Sequence, residues 1–289
     1  MKLMKRLAGG LTMAFVLAIQ PIQAAQAAPD LNAENFDYDW YLEQHPDVAA
    51  ALGNDKEAIW TFYVNTGEPA GWFGRVSEDW MISTYFDVQM YLEENPDIRQ
   101  LYGTPVDYDA VKEHYMTHGK AEGRQEPTSV PVTQVYDAVE EAVQAGMSER
   151  EKVIAIHDWV CNHTTYDYDG YYAGNIPATS YSVEGFFETG RSVCSGYART
   201  MQALLDAAGI KNDVVDGYVK NGASGGGGHA WNKVYVGGNW LYVDATWDDW
   251  DKYNYVGHDC CLLSEERLDE IHNGNISAWV ELDGTVRYR

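Results

Sequence analysis

"GHAWNKVYVGGNWLYVDATW", Gly228 to Trp247, carries strand-type residues on either side of a Gly237-Gly238 pair. Two consecutive glycines accept the positive φ angles of a two-residue hairpin turn, so the stretch reads as strand, turn and return strand. Such a turn pairs Val236 with Asn239, and counting back pairs Trp231 with Asp244. Residues two apart share a sheet face, which puts His229, Trp231 and Asp244 on the same side. His229 and Asp244 are then diagonal neighbours, about 7–8 Å apart between backbones and closer at their tips. An odd-length turn would separate them. A half-exposed strand histidine without chemistry is the plainer reading of His229.

Upstream, "GRSVCSGYARTMQALLDAAGI" (Gly190 to Ile210) predicts a helix. Tyr197, Met201, Leu204, Leu205 and Ala208 form one apolar stripe, and Gly209 is a terminator. Cys194 therefore stands at the N-terminal edge of a core-facing helix. Free N–H groups and the positive end of the helix dipole stabilise a thiolate there, and the same groups suit a developing oxyanion. Ser195 and Gly196 read as small neighbours that leave room for a substrate. A disulfide or an inert buried thiol are the competing readings of Cys194.

Ser148 and Glu151 form a capping box ahead of a helix with Val153, Ile156, His157 and Val160 on one face. His157 and His163 read as structural. Helices followed by glycine-punctuated strands make this half α+β, a helix-borne cysteine packed on an antiparallel sheet. Before it lies an internal repeat. "FDYDWYLEQHPDVAAALG" from Phe36 recurs as "FDVQMYLEENPDIRQLYG" from Phe86, and "AIWTFYVNTGEPAG" from Ala58 matches "AVKEHYMTHGKAEG" from Ala110. Pro46 and Pro96 suit a first helical turn, and Gly67 and Gly119 suit a left-handed helix terminator. Phe36, Trp40, Tyr41, Trp60, Phe86, Tyr91 and Tyr115 are expected to form one small core. "QEPTSVPVT" (Gln125 to Thr133), with two prolines and no periodicity, reads as a linker.

The expected organisation is a signal peptide over 1–27, two helical repeats over 28–125, a linker over 126–133 and an α+β domain over 134–289. Lys2, Lys5 and Arg6 precede an apolar run from Leu7 to Ile19, and small residues offer cleavage after Ala27. Cleavage takes the formal charge from −24 to −27, which argues against nucleic acid and, after signal removal, against a membrane. A secreted or cell-envelope location follows. Cys161, Cys194, Cys260 and Cys261 are too few for a disulfide scaffold and have no zinc-motif spacing, so neither metal nor cofactor is expected. Asp167, Asp169 and Gly170 in "YDYDG", and Asp248 to Asp251, have incomplete calcium-loop spacing and read as solvated acidic loops.

"EGFFETGRSVCSGYARTMQALLDAAGI" and "GHAWNKVYVGGNWLYVDATWDD" resemble the transglutaminase-like superfamily, whose fold is papain-like. The likeness extends from about Val135 to His272. The repeats lie outside it and loosely resemble repeat segments of secreted bacterial proteins. The resemblance implies a triad of Cys194, His229 and Asp244: the thiol attacks a carboxamide or peptide carbonyl, the imidazole moves the proton, and the carboxylate orients the imidazole. His272 matches a family position with no role implied. Trp231, Trp240, Trp247 and Tyr197 are candidate walls of a substrate cleft. The implied enzyme forms a thioester on a protein or peptide substrate, resolved by an amine in a transglutaminase or by water in a peptidase or deamidase. A non-catalytic envelope-binding protein, or repeats that dock an enzyme to an envelope ligand, are readings of another class.

Overall fold

Four aspartates start four helices in the N-terminal part. Asp37, Asp55, Asp87 and Asp107 each accept the N–H of the residue three positions on, at 3.1, 3.1, 2.9 and 3.1 Å. Satisfying an orphan donor in this way fixes where a short helix begins. The computed structural model describes residues 30–220, 227–250, 255–273, 278–280 and 286–288, the last two stretches as backbone only. Residues 1–27, where a signal peptide is expected, and Asp251 lie outside the described residues.

The first copy of the repeat contains α1 (Tyr38–Gln44), α2 (Pro46–Leu52) and α3 (Lys56–Phe62). After α4 (Glu78–Thr84), the second copy contains α5 (Val88–Glu94), α6 (Pro96–Tyr102) and α7 (Tyr108–His114). Pro46 and Pro96 occupy the first helical position, where a missing N–H costs nothing. One π-turn extends each third helix, over Tyr63–Gly67 and Tyr115–Gly119. Gly67 is right-handed at φ −66°, so it is not a left-handed terminator. Positive φ falls instead on Gly71 and Gly123, four residues on in each copy, at 82° and 72°. Gly67 and Gly119 are glycines because a Cβ would lie 2.6 Å from Tyr41 Oη and 2.4 Å from Tyr91 Oη. Gly119→Ala is therefore expected to cost about 1–3 kcal/mol in urea unfolding, through overpacking against a tyrosine that is fully buried. Unchanged stability would show that Tyr91 moves aside freely.

The aromatic residues do not share one small core. Phe36, Tyr38, Tyr41, Val48, Ile59 and Tyr63 pack among themselves, with Trp40 and Trp60 against them. Phe86, Tyr91 and Tyr115 belong instead to the main core, which runs on through the helix that follows Val193 and through the sheet. The 126–133 segment lies on this second copy. Pro127 O accepts from Asp87 N at 2.7 Å, Tyr85 O accepts from Ser129 N at 2.9 Å, and Val130 is buried.

Next come α8 (Val132–Ala142) and α9 (Glu149–His163), the latter opened by the Ser148–Glu151 capping box with both reciprocal hydrogen bonds formed. Strands β1 (Thr165–Tyr166) and β2 (Arg191–Ser192) pair in parallel around α10 (Tyr168–Ala173) and α11 (Val183–Thr189). Helix α12 (Cys194–Ala207) leads to β3 (Asn212–Val219), β4 (Gly227–Val236) and β5 (Asn239–Val243). A single turn, α13 (Ala245–Asp248), precedes the short pair β6 (Asp249–Trp250) and β7 (Tyr255–Val256), then β8 (Cys261–Leu263) and α14 (Glu265–His272). The main sheet runs β3-β4-β5-β8 with every pair antiparallel. Helix α12 packs on β3 and β4, and its apolar stripe is buried from Tyr197 to Ala208. The two ends of α12 have different neighbours. Its C-terminal turn meets the helical module, where Ala207 O accepts from Val76 N at 3.0 Å and Asp206 Oδ2 accepts from Tyr85 Oη at 2.6 Å. Among the described residues, no helix is long and apolar enough to cross a membrane.

Candidate active site

At the other end of α12, Val193 offers no side-chain cap, so the first amides, those of Cys194 and Ser195, have no such partner. Cys194 is half-buried at this opening. Gly196 plays a packing role, not one of making room for substrate. It is buried, and a Cβ there would lie 2.6 Å from Ser180 O and 2.8 Å from Ser192 Oγ. Val193 N donates to the same Ser180 carbonyl at 2.8 Å. These contacts seat the start of the helix against the preceding turn.

The hairpin has Val236 opposite Asn239 across the Gly237-Gly238 turn, with positive φ at both glycines. Its ladder closes at Asn232–Val243, one step short of a Trp231–Asp244 pair. Asp244 leaves the strand and caps α13, its Oδ1 accepting from Trp247 N at 3.2 Å. The shared side still holds, because Asp244 Oδ2 lies 2.7 Å from His229 Nε2. Asn232 ties the hairpin to the cysteine helix by donating from Nδ2 to Ala198 O at 2.9 Å. The Cys194 side chain lies close enough to His229 to raise its pKa after Asp244 does. With Nε2 committed to Asp244, Nδ1 is the nitrogen left for sulfur.

A second imidazole completes the cluster. His272, from the end of α14, places Nε2 2.9 Å from the same Asp244 Oδ2. Its ring stands edge-on to Trp231 and Trp247, with centroids 4.8 and 4.7 Å away. Asp244 is fully buried, and both histidines are nearly so. An ionised carboxylate accepts from two N–H groups at once, which fixes both rings with Nε2 protonated. Burial works against the charge on Asp244, but the two histidines hold its carboxyl well below the usual range. Burial likewise opposes the charge on His229, yet Asp244 and then Cys194 push its pKa up to about 10. Such an arrangement can take a proton from sulfur and keep the resulting charges apart from bulk water.

The other candidates are dispersed. Trp231 and Trp247 flank the histidines, half-buried. Tyr197 is only 1% exposed and its hydroxyl bonds Asp249, so it belongs to the core and lines no cleft. Trp240 packs across the strand pair on Tyr235, near the far turn of the hairpin. Tyr166 and Tyr181 sense the thiol: burial first, then the charge of Cys194, raises both phenols.

The acidic stretches are not simply solvated. Asp167 is buried, caps α10 through Gly170 N at 3.1 Å and accepts from Ser180 Oγ at 2.7 Å. Asp248 is fully buried facing His157, with Oδ2 3.3 Å from Nε2. All four cysteines are free thiols. Burial raises Cys161 and Cys260 and pushes Cys261 up to about 12.

The family model that this geometry meets is that of the transglutaminase-like superfamily, matched over residues 136–245. This stretch is similar to a transglutaminase-like domain. Cys194, His229 and Asp244 lie within the match, whereas His272 lies beyond it. Kyphoscoliosis peptidase of Mus musculus is 32% identical over 118 residues, 38% of this chain and 18% of the relative. The Homo sapiens protein of that name is 31% identical over 118 residues, with the same 38% and 18% shares. The chain thus spans about a fifth of the length of these curated relatives. The crystal structure of a TGase is 22% identical and covers 53% of this chain and 38% of that one, at a TM-score of 0.36. The periplasmic domain of TgpA from Pseudomonas aeruginosa is 25% identical, covering 40% and 41%, at a TM-score of 0.30.

Proposed function

We propose that the protein is a secreted or envelope-associated thiol enzyme that transfers acyl groups through a thioester on Cys194. The observation that carries this reading is His229 held between Cys194 and Asp244, with Nε2 2.7 Å from the carboxylate. In the proposed cycle the thiol proton passes to His229 Nδ1 and sulfur attacks an amide carbonyl of a protein or peptide. His229 then returns the proton to the leaving nitrogen, and Asp244 steadies the imidazolium between the two steps. The Cys194 amide at the helix start serves as one oxyanion donor. Trp231 and Trp247 wall the approach.

Either an amine or water then resolves the thioester, giving a transglutaminase or a peptidase or deamidase. The name of the kyphoscoliosis peptidases, about a third identical over a 118-residue stretch, favours the hydrolytic branch. A glutamine peptide offered with a labelled primary amine separates the outcomes. Amine incorporation identifies cross-linking, whereas a new peptide end or ammonia alone identifies hydrolysis. Neither product should form with Cys194→Ala.

Iodoacetamide supplies a check that needs no substrate. One equivalent is expected to label Cys194, since burial protects the other three thiols. Equal labelling of all four, together with no product from the wild type beyond that of Cys194→Ala, would leave the fold as a non-catalytic binding scaffold. Residues 28–125 serve in this reading as a docking module for an envelope ligand. Because the second copy shares its core with the thiol domain, its test uses full-length Cys194→Ala on cell-wall material. Failure to sediment with that material would remove the docking role.

A further inference from the structure

A second cluster of polar side chains sits beneath α13, outside the site just described. His157 and Asp158 come from α9, and His258 comes from the connection between β7 and β8. Asp158 Oδ1 is 2.8 Å from His157 Nδ1 and 2.7 Å from His258 Nε2. The three donor atoms all lie within 4.8 Å of one another. Asp158 and His258 are partly open to solvent, with side-chain exposures of 38% and 26%, while His157 is fully buried.

The other face of His157 gives an independent indication. Its Nε2 is directed at Asp248 Oδ2, 3.3 Å away. Asp248 is itself fixed, because both of its oxygens accept from Cys260 N, at 3.0 and 3.1 Å. A carboxylate on the rear nitrogen of an imidazole is the usual support of a metal-bound histidine: it holds that nitrogen protonated and turns the other lone pair outward. Here the outward nitrogen is Nδ1, which faces Asp158 and His258. Cys161 Sγ is on the rear side, 3.8 Å from Nε2, and is not among these donors.

We propose that His157 Nδ1, Asp158 and His258 Nε2 form a binding site for a divalent transition-metal ion of the zinc class. Two imidazoles and one carboxylate suit such an ion, and solvent on the open side completes a four-coordinate shell. Calcium is disfavoured, because it takes six to eight oxygen ligands and this site offers one carboxylate. The ion has a structural role. Asp244 caps the start of α13 and Asp248 is its last residue, so a fixed His157 anchors the far end of the turn that carries Asp244.

Metal-free full-length protein titrated with Zn2+ by calorimetry, and with Co2+ by visible absorption, tests the site without any enzymatic assay. One equivalent is expected to bind, with the intense d–d bands of low-coordinate cobalt. Asp158→Asn and His258→Ala should abolish both signals, and Asp248→Asn should weaken affinity about 10- to 100-fold. Zn2+ should also raise the melting temperature of the wild type but not that of His258→Ala. His229, Asp244 and His272 are the other cluster with suitable donors among the described residues, so His272→Gln is the control. Binding that survives His258→Ala and disappears in His272→Gln would place the ion in the candidate active site and overturn the proposal. Absence of binding at millimolar metal would overturn it equally.

Discussion

Asp244→Asn is expected to lower turnover by about 10³- to 10⁴-fold, the scale seen when a triad carboxylate becomes an amide. The hydrogen bonds dictate this loss whichever way the amide turns. In one orientation Oδ1 accepts from His229 and His272, but Nδ2 then faces Trp247 N–H, donor against donor, across the 3.2 Å gap now closed by Oδ1. In the other, Nδ2 faces both imidazoles and forces Nε2 of each to become an acceptor. His229 would then carry its proton on Nδ1 and have no lone pair for the Cys194 thiol. Either way the negative charge that raises His229 to about 10 is lost. The expected readouts are a fall in turnover on the peptide substrate and a slower iodoacetamide reaction at neutral pH, with the circular dichroism spectrum unchanged. His272→Ala should cost less, since the carboxylate remains, and His272→Gln should recover part of the loss by restoring an N–H donor. Wild-type alkylation and turnover in Asp244→Asn would remove the carboxylate from the mechanism.

The hairpin parity was legible because a two-residue turn and a period of two leave few alternatives. His229 and Asp244 share a side even though Asp244 sits one step beyond the last strand pair. The helix-edge position of Cys194 was equally legible, from the stripe Tyr197 to Ala208. Residues whose roles depend on a third element were not. His272 lies 28 residues from Asp244 on another helix, and no short-range pattern relates the two. Asp248 looks like part of an acidic surface run until α9 packs His157 against it. Tyr197 fails as a cleft residue for the same reason: periodicity shows that its face is buried, but not whether substrate or Asp249 meets the ring. Gly67 and Gly119 were ambiguous in kind, because a glycine fits a left-handed terminator and a tyrosine contact equally well in sequence.

Asp206 should make stability fall as pH rises through the mildly acid range. It is fully buried on the last turn of α12 and accepts from Tyr85 Oη at 2.6 Å and Asn212 Nδ2 at 2.6 Å. Burial is the largest influence and pushes its carboxyl up to about 7, against 3.8 for an ordinary aspartate, despite both hydrogen bonds. Between those two values the folded chain holds a proton that the unfolded chain has released. Each pH unit in that window then removes about 1.4 kcal/mol, or ~4 kcal/mol across it, and the contribution is level above pH 7. The depressed carboxyls of Asp244 and Asp158 act elsewhere, since their stabilisation is complete above the ordinary value and is lost only in stronger acid. His229 acts at the opposite end, its contribution fading as pH rises from 6.5 towards 10. Asp206→Asn isolates the remaining slope, because an amide reproduces the protonated acid: its oxygen accepts from Asn212 and its nitrogen donates to the Tyr85 hydroxyl. Urea unfolding of wild type and variant should show a gap that widens from pH 4 to pH 7 in favour of the variant. Parallel profiles would mean that water reaches Asp206 and that it ionises without penalty. A widening gap would locate a pH-sensitive contact where the helical module, through Tyr85 at the end of α4, meets the far end of the Cys194 helix.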